Sequence, residues 1–542
     1  MKSLPVVAIL LLAWLPALAN LPPLDRDESR FAEASHQMVE TGNYVDIRFA
    51  SGPRYNKPIG IYWLQSLSAA LAGPARRARI WVYRIPSLIA GMLATLFLYA
   101  AARRIASRET AVISALFLGT TLLFTAECVI ATTDAALLAT VVAAQSLLLR
   151  AYLAARRSAE PPTTGYAMAG WVAVGFGILI KGPIILAVLA VTIIALSLWD
   201  RDFSWLKETR ALYGAALALL IVLPWAVAIG YTSHGTFYEQ SLGRDFTAKI
   251  FEGQESHGAS PGYYLVETAV AFWPATLVLL PALVWAVAQR RDPFVRFLLA
   301  WSAGVWLLFE FIPTKLPHYI LPAYPALALL CGLWITRAQE TDSGSSQTVR
   351  NASALLFVIG AAAVAVGCVY LPMRFGGRLD ALLISGTALA SAGAAAAAFF
   401  LLRNNRLKAA GAAIASALLF DVVLGLIVVP QLHDLWLSPP AAKLVADNRR
   451  AGDAPPVVTG YVEPSLVFLL GPQTRVAPAA QAAGETGRGG LALVEKRAAP
   501  EFLSGVAAAG RVAKALGYVS GLDYSIGRKE QITLYRVMPG AR

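Results

Sequence analysis

Residues 85–108 read IPSLIAGMLATLFLYAAARRIASR. Positions 85–102 hold no charged side chain, and as a helix they extend about 27 Å, close to the hydrocarbon thickness of a bilayer. Arg103, Arg104 and Arg108 follow at once, so the stretch predicts a membrane-spanning helix with one cationic end. The same pattern recurs outward from it. About thirteen apolar segments qualify, at 4–20, 85–102, 109–127, 134–153, 166–180, 183–199, 211–231, 263–288, 294–311, 318–335, 351–371, 380–402 and 408–430. The first has the look of a signal peptide, with Lys2, an apolar run and Ala17-Leu18-Ala19. Kept as a span with Lys2 inside, it puts the cation clusters around Arg103, Arg150, Arg156, Arg201, Lys207, Arg290, Arg337, Arg350, Arg403 and Lys408 on the cytoplasmic side. Short loops rich in Lys and Arg on one side only are the expected orientation signal.

Composition leads to the same class. The 542 residues include 46 Lys plus Arg against 33 Asp plus Glu, a net charge of +13, yet only 15% are charged and 57% are hydrophobic. A soluble domain carries about 25% charge, so a string of soluble domains, a disordered chain and a collagen are excluded. Cys128, Cys331 and Cys368 are widely spaced in or beside apolar runs, which leaves neither a disulfide framework nor a zinc ribbon. The surplus cations are not interleaved with aromatics, so no nucleic acid partner is expected. The fold class is an all-α polytopic membrane protein.

Three regions are expected outside the cytoplasm: a first loop at about 21–84, a second at about 232–262, and a C-terminal segment from 434 to 542. The chain thus divides into a membrane domain, 1–433, and a small α/β domain, 434–542. In the latter, Pro439-Pro440 opens a helical stretch through Arg449, and Pro455–Gly460, Ser465–Leu470, Gly490–Glu495 and Gln531–Arg536 read as short strands. The run Ala392–Ala398 reads as a membrane helix whose small residues permit close packing.

The first loop carries candidate chemistry. Asp25-Arg26-Asp27-Glu28 precedes Phe31, Ala34, Met38 and Val39 at helical spacing, with Asp25 and Glu28 in capping-box positions and Gly42 as terminator. Asp27 falls in the first turn, where the helix dipole favours an ionised carboxylate able to take a proton or hold a cationic group; a plain helix cap is the alternative. Farther on, Pro58 can open an aromatic interfacial helix, with Lys57 either near an anionic group or snorkelling beside an aromatic belt.

These two stretches together resemble a known loop. Asp27-Glu28-Ser29-Arg30-Phe31-Ala32-Glu33 with Tyr55-Asn56-Lys57-Pro58 and Tyr62-Trp63-Leu64 is similar to the first periplasmic loop of the protein mannosyltransferase-like family, of glycosyltransferase family 39/83 type, whose bacterial members include the lipid A aminoarabinose transferase. Thr132-Thr133-Asp134-Ala135 resembles the family's second acidic site, and Leu179-Ile180-Lys181-Gly182-Pro183 its Lys-Gly-Pro turn. Glu239–Phe246, then His257 and Pro261-Gly262-Tyr263-Tyr264, look like the second periplasmic loop. Lys315-Leu316-Pro317-His318-Tyr319 looks like the motif opening the tenth span. Each motif alone is weak; their order and common sidedness carry the likeness.

The resemblance implies a GT-C type membrane glycosyltransferase at the periplasmic face of a bacterial inner membrane, working as a monomer. It would move a monosaccharide from a polyprenyl-phosphate donor to lipid A or lipopolysaccharide core. Such a transfer needs a carboxylate near the acceptor, cations for the departing phosphate and an apolar groove for the prenyl tail. Asp27 and Asp134 would be catalytic carboxylates, the latter alternatively a helix cap after two threonines. Lys57, Arg244, Lys315 and Lys181 would hold phosphate, and His318, Tyr319, Tyr55 and Glu28 would complete substrate binding. Where many relatives place Glu and His, Asn56 and Ser241 stand. The pair removes two metal ligands, so no divalent metal is expected, and it favours an anionic sugar such as a uronic acid over an amino sugar. The alternatives are a flippase for polyprenyl-linked sugars, which inverted repeats and midplane charges would favour, an assembly protein, and a same-fold transferase acting on protein or another glycolipid.

Overall fold

A computed structural model describes residues 4–50, 52–246, 260–337, 346–486 and 489–540. Among these, nine helices are long and apolar enough to cross a membrane, and the bent pair α5 (Arg108–Thr120) and α6 (Leu122–Val129), kinked by 66°, makes a tenth. The shorter apolar helices α1 (Leu4–Asn20), α9 (Ile184–Asp200) and Thr276–Ala288 stand where further spans were expected. The chain is a multi-pass membrane protein. The stretch 263–288, read as one span, is two helices, Tyr263–Ala271 and Thr276–Ala288, because Pro274 lies between them and proline interrupts the helical hydrogen-bond ladder. α1 packs one face against the bundle: Trp14 is fully buried and its Nε1 donates to the Gly119 carbonyl at 3.2 Å.

The first loop folds into α2 (Asp27–Thr41), a small hairpin pairing Arg48–Phe49 with Gly52–Pro53, and α3 (Gly60–Ala72). Gly42, at φ 70°, ends α2 as read. The capping box is different from the expectation. Arg26 occupies the cap position at φ 61°, no side chain caps the helix, and the Asp25 carboxylate turns to Ser465 instead. α3 begins at Gly60 rather than Pro58. There a side-chain carbon would come within 2.8 Å of the Leu179 backbone, so glycine lets α3 touch the end of α8 (Thr164–Lys181).

Beyond the last membrane helix, five strands assemble in the order Arg475–Val476, Val457–Thr459, Leu491–Glu495, Arg528–Pro539, Arg511–Asp523. The first three are parallel and the last two add antiparallel. Ser465–Leu470, read as a strand, is the helix Pro464–Leu470; a six-residue apolar run has no period that separates the two, and Pro464 supplies a pre-set first helical residue. This helix lies on the first loop. Phe468 meets the Tyr83 ring edge-on at 5.5 Å and shares a buried cluster with Ala32, Ala69, Ile80, Val82 and Ala131.

Candidate active site

Two motifs far apart in the chain meet at one membrane rim. Asp134 opens α7 (Asp134–Ala155) and Lys181 closes α8, where Gly182 at φ 68° turns the chain. Lys181 Nζ donates to Asp134 Oδ1 at 2.5 Å, and both side chains are buried. Thr133 in the cap position makes no capping bond; its hydroxyl donates to Asp134 Oδ2 at 3.2 Å. The helix-cap alternative for Asp134 therefore gives way to an ion pair. The pair is flanked by the helical turn Pro317–Ala323: the Tyr319 ring centre lies 5.5 Å from Lys181 Nζ, and His318 Nδ1 is 4.0 Å from Glu127 Oε1.

Asp134, Lys181, His318 and Tyr319 line a cavity of about 390 Å³, together with Asn56, Lys57 and Ser241. The rest of its wall is largely apolar, with Leu186, Val222, Trp225, Phe237 and Leu308 among the residues. α3 and its glycine explain the convergence, since Gly60 seats Lys57-Pro58 against the α8 terminus that presents Lys181.

Asp27 stands at the first turn of α2 beside this cavity. Its carboxylate lies 3.5 Å from Arg54 Nη2 and 3.9 Å from Arg30 Nη1, and its side chain is 67% exposed. Desolvation opposes its ionisation, but Arg54, Lys57 and Arg30 outweigh that and hold its carboxyl below the usual range. Arg54 is itself buried, 5.0 Å over the Phe31 ring, so the α2 face that carries Asp27 also fixes its counter-ion.

Other expected site residues sit elsewhere. Glu28 is buried away from the cavity. Its oxygens accept from Arg84 Nε at 2.7 Å and Nη2 at 2.8 Å, from the Ala131 amide at 2.8 Å and from the Leu24 amide at 2.9 Å, which leaves it a structural brace. Tyr55 lies behind the cavity wall, edge-on to Phe237 at 5.7 Å, and its hydroxyl donates to Asp46 at 2.7 Å. Lys315 is buried and donates to the carbonyls of Phe309, at 2.9 Å, and Glu310, the end of helix Pro293–Phe311; it does not line the cavity. The Arg244 side chain and His257 lie outside the described residues.

Glu127, Arg84, Arg54 and Arg30 received no role from the sequence. Glu127 sits inside an apolar run, and a lone carboxylate there was the available signal, because burying one is costly without a partner. With Asp134 and His318 it forms, among the described residues, the one group whose atoms come within 4.8 Å of one another in a metal-compatible set. Lys181 already places a positive charge 2.5 Å from Asp134, so one of the two carboxylates in this group is balanced within the chain.

Residues 56–227 match the profile of the dolichyl-phosphate-mannose-protein mannosyltransferase family. The chain is 30% identical over 368 residues to an undecaprenyl phosphate-alpha-4-amino-4-deoxy-L-arabinose arabinosyl transferase of Pseudomonas aeruginosa, covering 67% of this chain and 64% of that protein. It is 29% identical over 394 residues to the same-named protein of Erwinia tasmaniensis, covering 70% and 69%. Several other curated relatives are matched over less than two thirds of their length, 58% and 59% among them. In fold, the crystal structure of ArnT from Cupriavidus metallidurans bound to undecaprenyl phosphate aligns with a TM-score of 0.75 over 98% of both chains at 19% identity. The archaeal oligosaccharyltransferase AglB from Archaeoglobus fulgidus aligns at 0.52 over 97% of this chain and 74% of that one, at 12% identity.

Proposed function

We infer that the chain, which belongs to the dolichyl-phosphate-mannose-protein mannosyltransferase family of membrane glycosyltransferases, transfers one sugar from a polyprenyl phosphate to a lipid A or lipopolysaccharide-core acceptor. The reaction takes place at the periplasmic face of a bacterial inner membrane. A membrane domain over 1–433 carries the site, and the α/β domain over 434–542 covers its first loop.

The observation that carries this reading is one cavity that joins fixed cations to an apolar wall. A polyprenyl-phosphate sugar is an apolar chain joined to an anionic phosphate joined to a polar ring, and the cavity is lined by apolar side chains together with Lys57, Lys181 and Tyr319. In the transfer, the acceptor oxygen forms a bond to the anomeric carbon as the bond from that carbon to the phosphate oxygen breaks, and the phosphate leaves with the electron pair. Lys57 and Lys181 stabilise that developing charge, as fixed cations placed where charge develops do. Asp27, kept ionised by its arginines, takes the proton of a hydroxyl acceptor or orients one already ionised. Asp134 holds Lys181 in place.

A second feature supports a choice of sugar. Asn56 and Ser241 line the same cavity, and neither offers a charge to bind an ammonium group. An anionic sugar such as a uronic acid suits this lining better than an amino sugar.

Mass spectrometry of lipid A and core from strains with and without the protein tests the transfer, with Asp27→Asn as control. A sugar present only with the wild-type protein is expected; an identical glycan profile in all three strains refutes the reading. Supplying each donor in turn tests the sugar: use of the aminoarabinose donor alone refutes the second point.

A further inference from the structure

The helix ends opposite the carboxylate site carry further cations, and they are not treated alike. Arg156 donates to Asp200 at 2.7 Å and to Asp202 at 3.0 Å, Arg296 pairs with the same Asp200, and Arg337 reaches Asp292 at 3.4 Å. Each of these charges is balanced within the chain. Arg104 and Arg150 have no such balance: among the described residues neither has a carboxylate within ion-pair distance. Both guanidinium groups instead lie against one ring, that of Tyr166, at 5.0 and 5.1 Å from its centre.

Two like charges on one aromatic ring repel each other, and the ring's π face offsets only part of that. The remainder calls for an anion. Arg104 and Arg150 both line a cavity of about 340 Å³ that also presents the hydroxyls of Ser146 and Ser158, with Ile105 and Leu149 as an apolar wall. The Tyr166 hydroxyl and the Ser146 hydroxyl lie 3.1 Å apart, which holds the ring in place against the two arginines. Arg150 spends only its Nε, on the Glu160 carbonyl at 3.3 Å. Glu160 is exposed, and its carboxylate weakens the pull on an anion without cancelling it.

The cavity's place in the bilayer narrows the ligand. Arg150 follows Asp134 by sixteen positions along α7, so the two ends are about 24 Å apart, nearly the full hydrocarbon thickness. Arg104 directly follows the C-terminus of α4 (Ile80–Arg103), and Tyr166 is in the first turn of α8. The site therefore lies at the membrane–water boundary, where a basic pocket between helices meets phospholipid headgroups.

We propose that this cavity binds the phosphodiester headgroup of an anionic phospholipid from the leaflet opposite the transfer site. Arg104 and Arg150 hold the phosphate oxygens, the serine hydroxyls face the glycerol end of the headgroup, and Ile105 and Leu149 receive the first methylenes of the acyl chains. The site is separate from the sugar-transfer cavity, and its test does not depend on that reaction.

The experiment is native mass spectrometry of the purified full-length protein from micelles doped with phosphatidylglycerol or with phosphatidylcholine. Retention of phosphatidylglycerol is expected to fall about fivefold in Arg104→Gln or Arg150→Gln and about thirtyfold in the double variant, from the roughly equal contribution of each cation at a membrane surface. Glu160→Gln, which removes a competing anion, is expected to raise retention, so the proposal also predicts a gain that misfolding cannot mimic. Retention equal for both lipids, or equal in wild type and double variant, overturns it. Displacement of the lipid by millimolar inorganic phosphate alone overturns the lipid assignment and points to a soluble phosphate.

Discussion

The backbone amide of Asp25 donates to the hydroxyl oxygen of Tyr524 at 2.6 Å, joining the residue two before Asp27 to the turn between the last two strands. Beside it Arg26 Nη2 donates to the Ser525 carbonyl at 2.8 Å and Ser465 donates to the Asp25 carboxylate. The left-handed backbone of Arg26, φ 61°, is thus held from the C-terminal sheet, and it sets where α2 starts.

This junction is expected to respond to pH. Burial, with Glu463 and Asp523 as neighbouring acids, raises the Asp25 carboxyl from 3.8 to about 6, against the hydrogen bonds from Ser465 and Tyr524. Burial likewise raises Glu463, with Asp523 adding to it and Arg26 opposing. A folded-state value above the unfolded one contributes stability that is complete below about 3.8 and is lost as pH rises to about 6. The docked arrangement should tighten by up to about 3 kcal/mol from pH 7 to pH 4. Hydrogen exchange of residues 463–470 and 523–526 across that range measures it. Asp25→Asn should flatten the profile, and a wild-type profile without slope would contradict the assignment.

The ion pair of Asp134 and Lys181 separates folding from chemistry. Lys181→Met leaves a buried carboxylate without its partner, a loss of about 3–5 kcal/mol. Adding Asp134→Asn removes the unpaired charge and should recover most of the thermal stability, while transfer stays low because the phosphate cation is still gone. If the double variant regains activity along with stability, the pair is structural only.

How much of this was legible follows from what is local. The stretch around 85–108 needs only its own apolar run and following arginines, and so it was readable. The Thr-Thr-Asp and Lys-Gly-Pro motifs were readable as motifs, but their meeting depends on α7 and α8 running antiparallel, with Gly60 wedged against Leu179. Two cations show the limit. Arg84 received no role, and Lys315 looked like a phosphate ligand. What decides each is a partner supplied by the fold, Glu28 across 56 positions in one case and two helix-end carbonyls in the other. Ser465–Leu470 failed for a different reason, since six apolar residues fit a buried strand and a docked helix equally.

Glu28 and Arg84 are expected to be a stability determinant rather than a binding one. Both side chains are at most 2% exposed, and the carboxylate ties together the Leu24 turn, the Ala131 amide and the start of α4. Glu28→Gln should cost about 3–5 kcal/mol, seen as a lower melting temperature and a lower yield of folded protein. The KM of the folded fraction for its donor should stay near the wild-type value. A KM raised tenfold at unchanged melting temperature would return Glu28 to the binding site.

Lys57 and Lys315 provide the sharpest contrast, because both were read from sequence as phosphate ligands and the fold separates them. Lys57 lines the cavity; Lys315 is buried 5.3 Å from the Tyr264 ring centre with its ammonium on the Phe309 and Glu310 carbonyls. Lys57→Gln should lower kcat by about 10²–10³, by analogy with removal of one oxyanion donor, at little cost in stability. Lys315→Gln should do the reverse. It leaves helix-end carbonyls under-satisfied, a loss of about 1–3 kcal/mol, with kcat close to wild type once the protein is folded. The measurement is a paired one, single-turnover transfer and thermal unfolding on both variants. A kcat loss at Lys315 equal to that at Lys57, without a stability change, would place the Lys315 ammonium on the departing phosphate after all.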